Sequence, residues 1–172
     1  MSDRPTALVT GASSGIGEAI AWRLAQNGLR VLVGYNTGHE RAQNLCEAIN
    51  SKRKNLALPV PIDLGKPYEI ASCFSDIIAH HGPIKYLVNN AGITRDGLFM
   101  WMSYEDWDKV LRTTLDGFYN VTHFFIQKML RNRYGRIINI ASVSGVKGTS
   151  GQANYSAAKG ALVATTKALA QE

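Results

Sequence analysis

Cysteine is nearly absent. Cys46 and Cys73 are the only two in 172 residues, too few for a disulfide framework or a four-ligand zinc site. The expected compartment is therefore the reducing cytoplasm. Long hydrophobic runs are missing too. The longest apolar stretches are four or five residues, far short of the ~20 that span a bilayer. The opening MSDRPTALVTG lacks the charged-then-apolar layout of a secretory signal. There is no internal repeat, low-complexity tract or linker. His80-His81 stand without a carboxylate cluster to complete a ligand set, so no metal site is expected.

The 172 residues are 45% hydrophobic and 19% charged, which excludes disorder and fits one globular domain of the usual ~100–200 residues. Nineteen Lys and Arg against thirteen Asp and Glu give a net charge of +6. That balance favours anionic partners such as nucleotides, acyl carriers or nucleic acid. Lys52-Arg53-Lys54 reads as a solvated loop. The denser set Lys128, Arg131, Arg133 and Arg136 could steer an acidic carrier protein. Neither cluster has the interleaved aromatics of a single-strand nucleic-acid surface. Neither a nucleic acid nor a membrane is an expected partner.

Strand and helix patterns alternate five times. Thr6–Thr10, Arg30–Gly34, Leu56–Val60 with Ile62, Tyr86–Asn89 and Arg136–Ile140 read as strands. Pro59 and Pro61 put the third at a sheet edge, because proline cannot donate to a ladder. The first helix carries Ile16, Ile20, Leu24 and Ala25 at helical spacing and stops at Gly28. The second runs from His39 to about Ser51, and the third from Pro67 to His80. Ser103 to Asp106 resembles a capping box and opens a long helix reaching about Arg131. Val143 to Ala153 reads as a polar turn, and Gln152 to Glu172 as the last helix. Trp101, Trp107, Phe118, Phe124 and Phe125 are expected to pack in the core, with some available as intersubunit anchors. This alternation means βαβ units, right-handed crossovers and an α/β doubly wound parallel sheet of Rossmann-like type. The last helix is cut at Ala170-Gln171-Glu172 without a glycine cap, so the single domain 1–172 is expected to be a truncated piece of a longer chain.

TGASSGIG, residues 10–17, joins the first strand to the first helix. Gly11, Gly15 and Gly17 permit a tight turn and close approach of backbone to phosphate. The helix behind offers free N–H groups and partial positive charge. Ser13, Ser14 and Ile16 lie in the same turn. A dinucleotide site places an acid at the end of the second strand to hold a ribose 2′-hydroxyl. Here that end reads Gly34-Tyr35-Asn36-Thr37, with no carboxylate before Glu40. A 2′-phosphate would not be repelled. Ser14, Asn36 and Thr37 are candidate contacts for it, with Arg41 a weaker one, and NADP(H) is the expected cofactor.

Tyr155 and Lys159 are one helical turn apart on one face. Ser142 follows the fifth strand at its carboxyl end, where α/β sheets bind ligands. A ketone accepting hydride develops negative charge on oxygen. Tyrosine can supply the proton, a neighbouring ammonium lowers its ordinary pKa of ~10, and a serine hydroxyl can hold the carbonyl oxygen.

With TGASSGIG, Asp63-Leu64, NNAGITRDG (89–97), IINIASVSG (137–145) and GQANYSAAKG (151–160), the sequence resembles the short-chain dehydrogenase/reductases. It looks most like their branch of 3-oxoacyl-[acyl-carrier-protein] reductases and acetoacetyl-CoA reductases. The resemblance implies that Ser142, Tyr155 and Lys159 are the catalytic serine, tyrosine and lysine. Lys159 would also hold the nicotinamide ribose. It further implies that Gly11, Gly15 and Gly17 bind phosphate and that Asp63, with Leu64, contacts adenine. Asn89, Ala91 and Gly92 would line the adenosine side and steady the sheet. The implied sheet order is 3-2-1-4-5. The implied assembly is a homodimer or homotetramer through helices 104–131 and 152–172.

The family's usual asparagine in the long helix, which opens a kink and joins a water relay to the lysine, is Thr114 here. If the relay limits proton supply, Thr114→Asn is expected to raise turnover. The expected activity is NADPH-dependent reduction of a 3-oxoacyl thioester on acyl carrier protein, in fatty acid biosynthesis. The alternatives are reduction of acetoacetyl-CoA or another ketone, or a catalytically impaired NADP-binding partner subunit.

Overall fold

Five short apolar runs become one parallel sheet. A computed structural model describes residues 4–172, with the backbone alone at 67–69. The first three residues of the MSDRPTALVTG stretch lie outside the described residues. The chain runs β1 (Thr6–Val9), α1 (Gly15–Gln26), β2 (Arg30–Tyr35), α2 (His39–Lys52), β3 (Ala57–Pro61), α3 (Pro67–His81) and β4 (Ile84–Asn89). A 3₁₀ turn (Phe99–Trp101) follows, then α4 (Tyr104–Leu111), a π turn (Arg112–Asp116), α5 (Gly117–Arg131), β5 (Arg136–Asn139), α6 (Ser144–Lys147) and α7 (Ala153–Leu169). The sheet order is β3-β2-β1-β4-β5, as expected, and every pairing is parallel.

The register explains the apolar runs. β1 is buried along its whole length, since a parallel sheet is covered on both faces. Adjacent residues point to opposite faces. Val9, Val31 and Val33 pack with Ala21 and Ala25 of α1 and Leu45 and Ile49 of α2. Leu8, Leu32 and Leu87 pack on the other face with Phe74 of α3 and Val121 and Phe125 of α5. Among the described residues no helix is long and apolar enough to cross a membrane.

Several local expectations change. β2 extends one residue further, to Tyr35, and β4 begins two residues earlier, at Ile84. The last helix ends at Leu169. The polar turn after Ser142 contains the short helix α6, and the long helix from Ser103 is interrupted by the π turn. Ser103 caps α4 through the Asp106 N–H at 3.1 Å and donates to the Asp106 carboxylate at 2.8 Å. Phe118 and Phe125 are core residues, but Trp101 is 73% exposed, because the 3₁₀ turn carries it outward instead of onto a helix face.

β3 is the edge strand that Pro59 and Pro61 suggested. Ile62 donates to the Tyr35 carbonyl on β2, so the alternate residues Ala57, Pro59 and Pro61 face away from the sheet. The prolines have no N–H to offer there. The Ala57 N–H donates to Asn50 Oδ1 and the Ala57 carbonyl accepts from Asn50 Nδ2, at 2.9 and 2.8 Å. Asn50 Oδ1 also accepts from Leu56 N at 2.9 Å. One side chain on α2 thus replaces the missing neighbour strand. Asn50→Ala removes three hydrogen bonds from a half-buried edge. It is expected to lower stability by about 1–3 kcal/mol, read as a shifted urea midpoint with an unchanged slope.

Candidate active site

The glycine turn between β1 and α1 is shaped by close approach. Gly11 and Gly15 have φ of 62° and 57°, the left-handed region that glycine enters freely. A Cβ on Gly11 would come within 2.9 Å of Ala91 Cα, and one on Gly17 within 2.5 Å of Asn90 Nδ2. A side chain at either position would push the turn away from the segment after β4. Ser14 precedes α1 with extended backbone and makes no side-chain cap, so the first N–H groups of α1 stay open for an anion. Ile16 beside them is 63% exposed.

At the end of β2, Asn36 and Thr37 are exposed and Gly38 is buried. A Cβ on Gly38 would lie 2.6 Å from Ser13 Oγ and 3.1 Å from Arg41 Nη2. Gly38 therefore lets the Arg41 guanidinium lie close to the glycine turn, although the chain reaches Arg41 only in the first turn of α2. Asp63 follows β3. Its Oδ1 accepts from Gly65 N at 2.9 Å and from Asn36 Nδ2 at 3.3 Å. Thr10, Gly11, Asn36, Asp63, Leu64 and Ala91 share a cleft of about 350 Å³ with Lys109 and Arg112 across it.

The pair Asn89-Asn90 divides two tasks. Asn89 ends β4 inside the core, where its Nδ2 donates to Thr122 of α5 and Asn139 of β5, both at 2.9 Å. Asn90 turns the other way. Its Nδ2 donates to the carbonyls of Thr10 and Gly11, both at 3.0 Å. Thr10 Oγ1 accepts from Asn90 N and Ala91 N, both at 3.1 Å. Asn90 thus ties the glycine turn to β4. Sequence reasoning passed over it; the only signal was a second amide directly after the strand.

The third group gathers at the carboxyl end of β5. Ser142 Oγ accepts from Ser144 N at 3.1 Å as α6 begins. A Cβ on Gly145 would come within 2.6 Å of Gly160 N, so α6 and α7 touch backbone to backbone, five residues beyond Tyr155. Lys159 is 3% exposed. It donates to the Ile140 carbonyl, two residues before Ser142, and its Nζ lies 5.9 Å from the Tyr155 ring centroid. Burial pushes the Lys159 ammonium below the ordinary lysine range. Gly92 contributes by having no side chain: a Cβ there would lie 3.3 Å from Thr114 Oγ1 and 3.6 Å from Lys159 Nζ.

Thr114 sits at the middle of the π turn and is 1% exposed. The helix opens at this position with threonine present, so the kink does not need an amide side chain. A Cβ on Gly117 would press on Leu64 at 3.0 Å, so α5 starts against the turn after β3. π turns recur at functional positions, and this one places a buried hydroxyl against the same space beside Gly92 that Lys159 Nζ borders. No group among the described residues bonds Thr114 Oγ1.

That packing changes what Thr114→Asn should do. The larger amide has to fit between Gly92 and Lys159 in a nearly closed space, where overpacking costs about 1–3 kcal/mol. Thermal melts should show Thr114→Asn destabilised and Thr114→Val close to the parent. An Asn variant as stable as the parent would mean the helix yields freely at the π turn.

Comparison with known proteins gives the family. The family model described as short chain dehydrogenase matches residues 5–172. The 3-oxoacyl-[acyl-carrier-protein] reductase FabG of Aggregatibacter actinomycetemcomitans is 45% identical over 168 residues, which is 97% of this chain and 69% of that protein. The protein of the same name from Staphylococcus aureus strain MW2 is 41% identical over 167 residues, 97% of this chain and 68% of its own. The one from Aquifex aeolicus is 45% identical over 165 residues, 96% of this chain and 66% of its own. A match of that extent, over a parallel sheet with a glycine turn after β1 and a buried Lys159 beside Tyr155, means that the chain belongs to the short-chain dehydrogenase family of nicotinamide-dependent oxidoreductases.

Proposed function

We propose that this oxidoreductase uses NADPH to reduce a 3-oxoacyl thioester on acyl carrier protein to the 3-hydroxyacyl thioester, in cytoplasmic fatty acid biosynthesis. The observation that carries the reading is the buried Lys159 ammonium beside the Tyr155 ring, one strand end away from Ser142. The relatives are 3-oxoacyl-[acyl-carrier-protein] reductases, and that supports the substrate class. Thioesters of CoA are the nearest alternative substrates.

Gly11 and Gly17 let the turn lie flat on β4, and its backbone with the uncapped first turn of α1 would hold a pyrophosphate. Asp63 and Leu64 would face the adenine, and Ala91 and Gly92 the adenosine side. Asn36, Thr37, Ser13, Ser14 and Arg41 would surround the 2′-phosphate. When bound, the cofactor supplies hydride to the 3-keto carbon. The Ser142 hydroxyl donates to the carbonyl oxygen and fixes it next to Tyr155. The Tyr155 hydroxyl gives its proton to that oxygen as negative charge builds. Lys159 holds the resulting phenolate by charge and would hydrogen-bond the nicotinamide ribose. Its Ile140 anchor keeps the ammonium at the segment that leads from β5 into Ser142.

The partner-subunit reading rests on Thr114 and shares every prediction about binding, but none about turnover. Pairing of copies through the long helix finds support in its exposed Tyr104, Tyr119 and Leu130, 79, 59 and 66% exposed. Lys128, Arg131, Arg133 and Arg136 lie at the opposite end of the sheet from Tyr155. A carrier docked there would serve the site of a neighbouring copy.

Tyr155→Phe keeps the ring and removes the proton. Turnover of 3-oxoacyl thioesters is expected to fall roughly a hundredfold or more, with NADPH affinity little changed. Steady-state NADPH oxidation and cofactor fluorescence titration measure the two. Turnover within a factor of a few of the parent overturns the assignment. The pH dependence has a definite sign. Charge on Lys159 is lost as pH rises through its lowered pKa, so reduction should decline on the alkaline side before the ~10.4 of free lysine is reached.

Cofactor choice is tested at the end of β2. Asn36→Asp places a second carboxylate beside Asp63, and Arg41→Ala removes the nearby cation. Both should weaken NADPH relative to NADH, by roughly tenfold for the aspartate, equivalent to about 1.4 kcal/mol. Titration of both cofactors decides it. A parent protein that binds NADH more tightly than NADPH would refute the NADPH assignment.

A further inference from the structure

Asn154, the residue before Tyr155, is 0% exposed. It heads the stripe of α7 that turns inward, followed at helical spacing by the buried Ala158 and Leu162. A polar group in such a place is costly unless it is bonded, and here both the nitrogen and the oxygen of the carboxamide are bonded. Its Nδ2 donates to the Arg95 carbonyl at 2.9 Å and to the Asp106 carbonyl at 3.3 Å. Its Oδ1 accepts from Tyr155 N at 2.7 Å. One side chain therefore joins the segment after β4, the first turns of α4 and the head of α7.

More exposed contacts run alongside. Gly97 N donates to the Gly151 carbonyl at 2.8 Å, and Gln152 Nε2 to the Asp96 carboxylate at 3.0 Å. These two lie nearer solvent and compete with water. The Asn154 bonds do not. Tyr155 and Lys159 stand next to the buried stripe around the helix, so the angle at which α7 is seated decides where the phenol points. Small misplacement of a reacting group costs rate steeply.

We propose that Asn154 is a positioning residue for the Tyr155–Lys159 pair, setting the rotation of α7 through the carbonyls of Arg95 and Asp106. The inference rests on the reading of Tyr155 as proton donor. Asn154 touches no reacting atom. It acts by fixing two backbone segments, and through Tyr155 N it fixes the residue that does.

Asn154→Asp is nearly isosteric but exchanges a double donor for a carboxylate facing two carbonyl oxygens. Buried there, the carboxyl has a raised pKa and regains one donor on protonation. The expected result is a fall in kcat of roughly tenfold or more at pH 8, partial recovery at pH 6, and a KM for NADPH within about twofold. Asn154→Ala should lose kcat without recovering at low pH. Tyr155→Phe, assayed alongside on the full chain, separates the two layers. If it keeps turnover, the reading of Tyr155 fails and takes this proposal with it. If it loses turnover while Asn154→Asp keeps the parent kcat at both pH values, only the positioning role is overturned. Parallel loss of NADPH binding, or failure of both Asn154 variants to fold, overturns it too, because general stability would then explain the buried carboxamide.

Discussion

The functional edge depends on the pairing of β1 with β4. β1 is central, with β2 on one side and β4 on the other, and the chain leaves it in the glycine turn. The end of that turn is not held by the sheet ladder alone. Asn90 bonds the carbonyls of Thr10 and Gly11, and Thr10 returns a hydroxyl to Asn90 and Ala91. The absence of a side chain at Gly11 and Gly17 lets these backbones meet. The glycine turn and the floor of the Lys159 site are therefore one object, since Gly92 follows Ala91 directly and makes room for the ammonium. A change that opens the β1–β4 seam moves both halves of the site together.

Polar burial marks where the chain departs from the rules of a core. Asn89, Thr114, Asn154 and Lys159 are all buried, and all stand around the carboxyl ends of β4 and β5. Asn89 stitches β4 to β5 and α5. Lys159 is held by the Ile140 carbonyl, the first beyond β5. An apolar side chain at any of these places would pack more cheaply, because an amide or ammonium loses water on burial. Local rules broken in a cluster are the expected sign of a site that does chemistry.

Most of the fold was legible because its signals are local. Apolar runs with Gly and Pro punctuation gave the strands, Pro59 and Pro61 gave the edge, and Ser103 gave the cap of α4. The glycine turn and the Tyr155–Lys159 spacing were readable for the same reason. What escaped was set by contacts between segments far apart in the chain. Asn90 meets Gly11 across 79 positions and Asn154 meets Arg95 across 59, and no window of sequence holds both. The seat of Leu64 against Gly117, just past the π turn, is another contact of this kind. Trp101 was expected inside because aromatic residues usually are. The 3₁₀ turn has no inward face to offer it.

The closed outer edge of β3 has a consequence for how copies of this chain behave in a crowd. An open strand edge is a template on which a second chain can polymerise. Parallel sheets assemble slowly, since their strands are joined by long crossovers, and unfinished ones linger with edges bare. Here the edge at β3 is closed by residues the chain has already made when β3 forms: Asn50 on the preceding helix and two prolines in the strand itself. No later segment is needed to cover it. At that edge a half-folded molecule offers a neighbour no free N–H. The safeguard against aggregation operates before the active site exists.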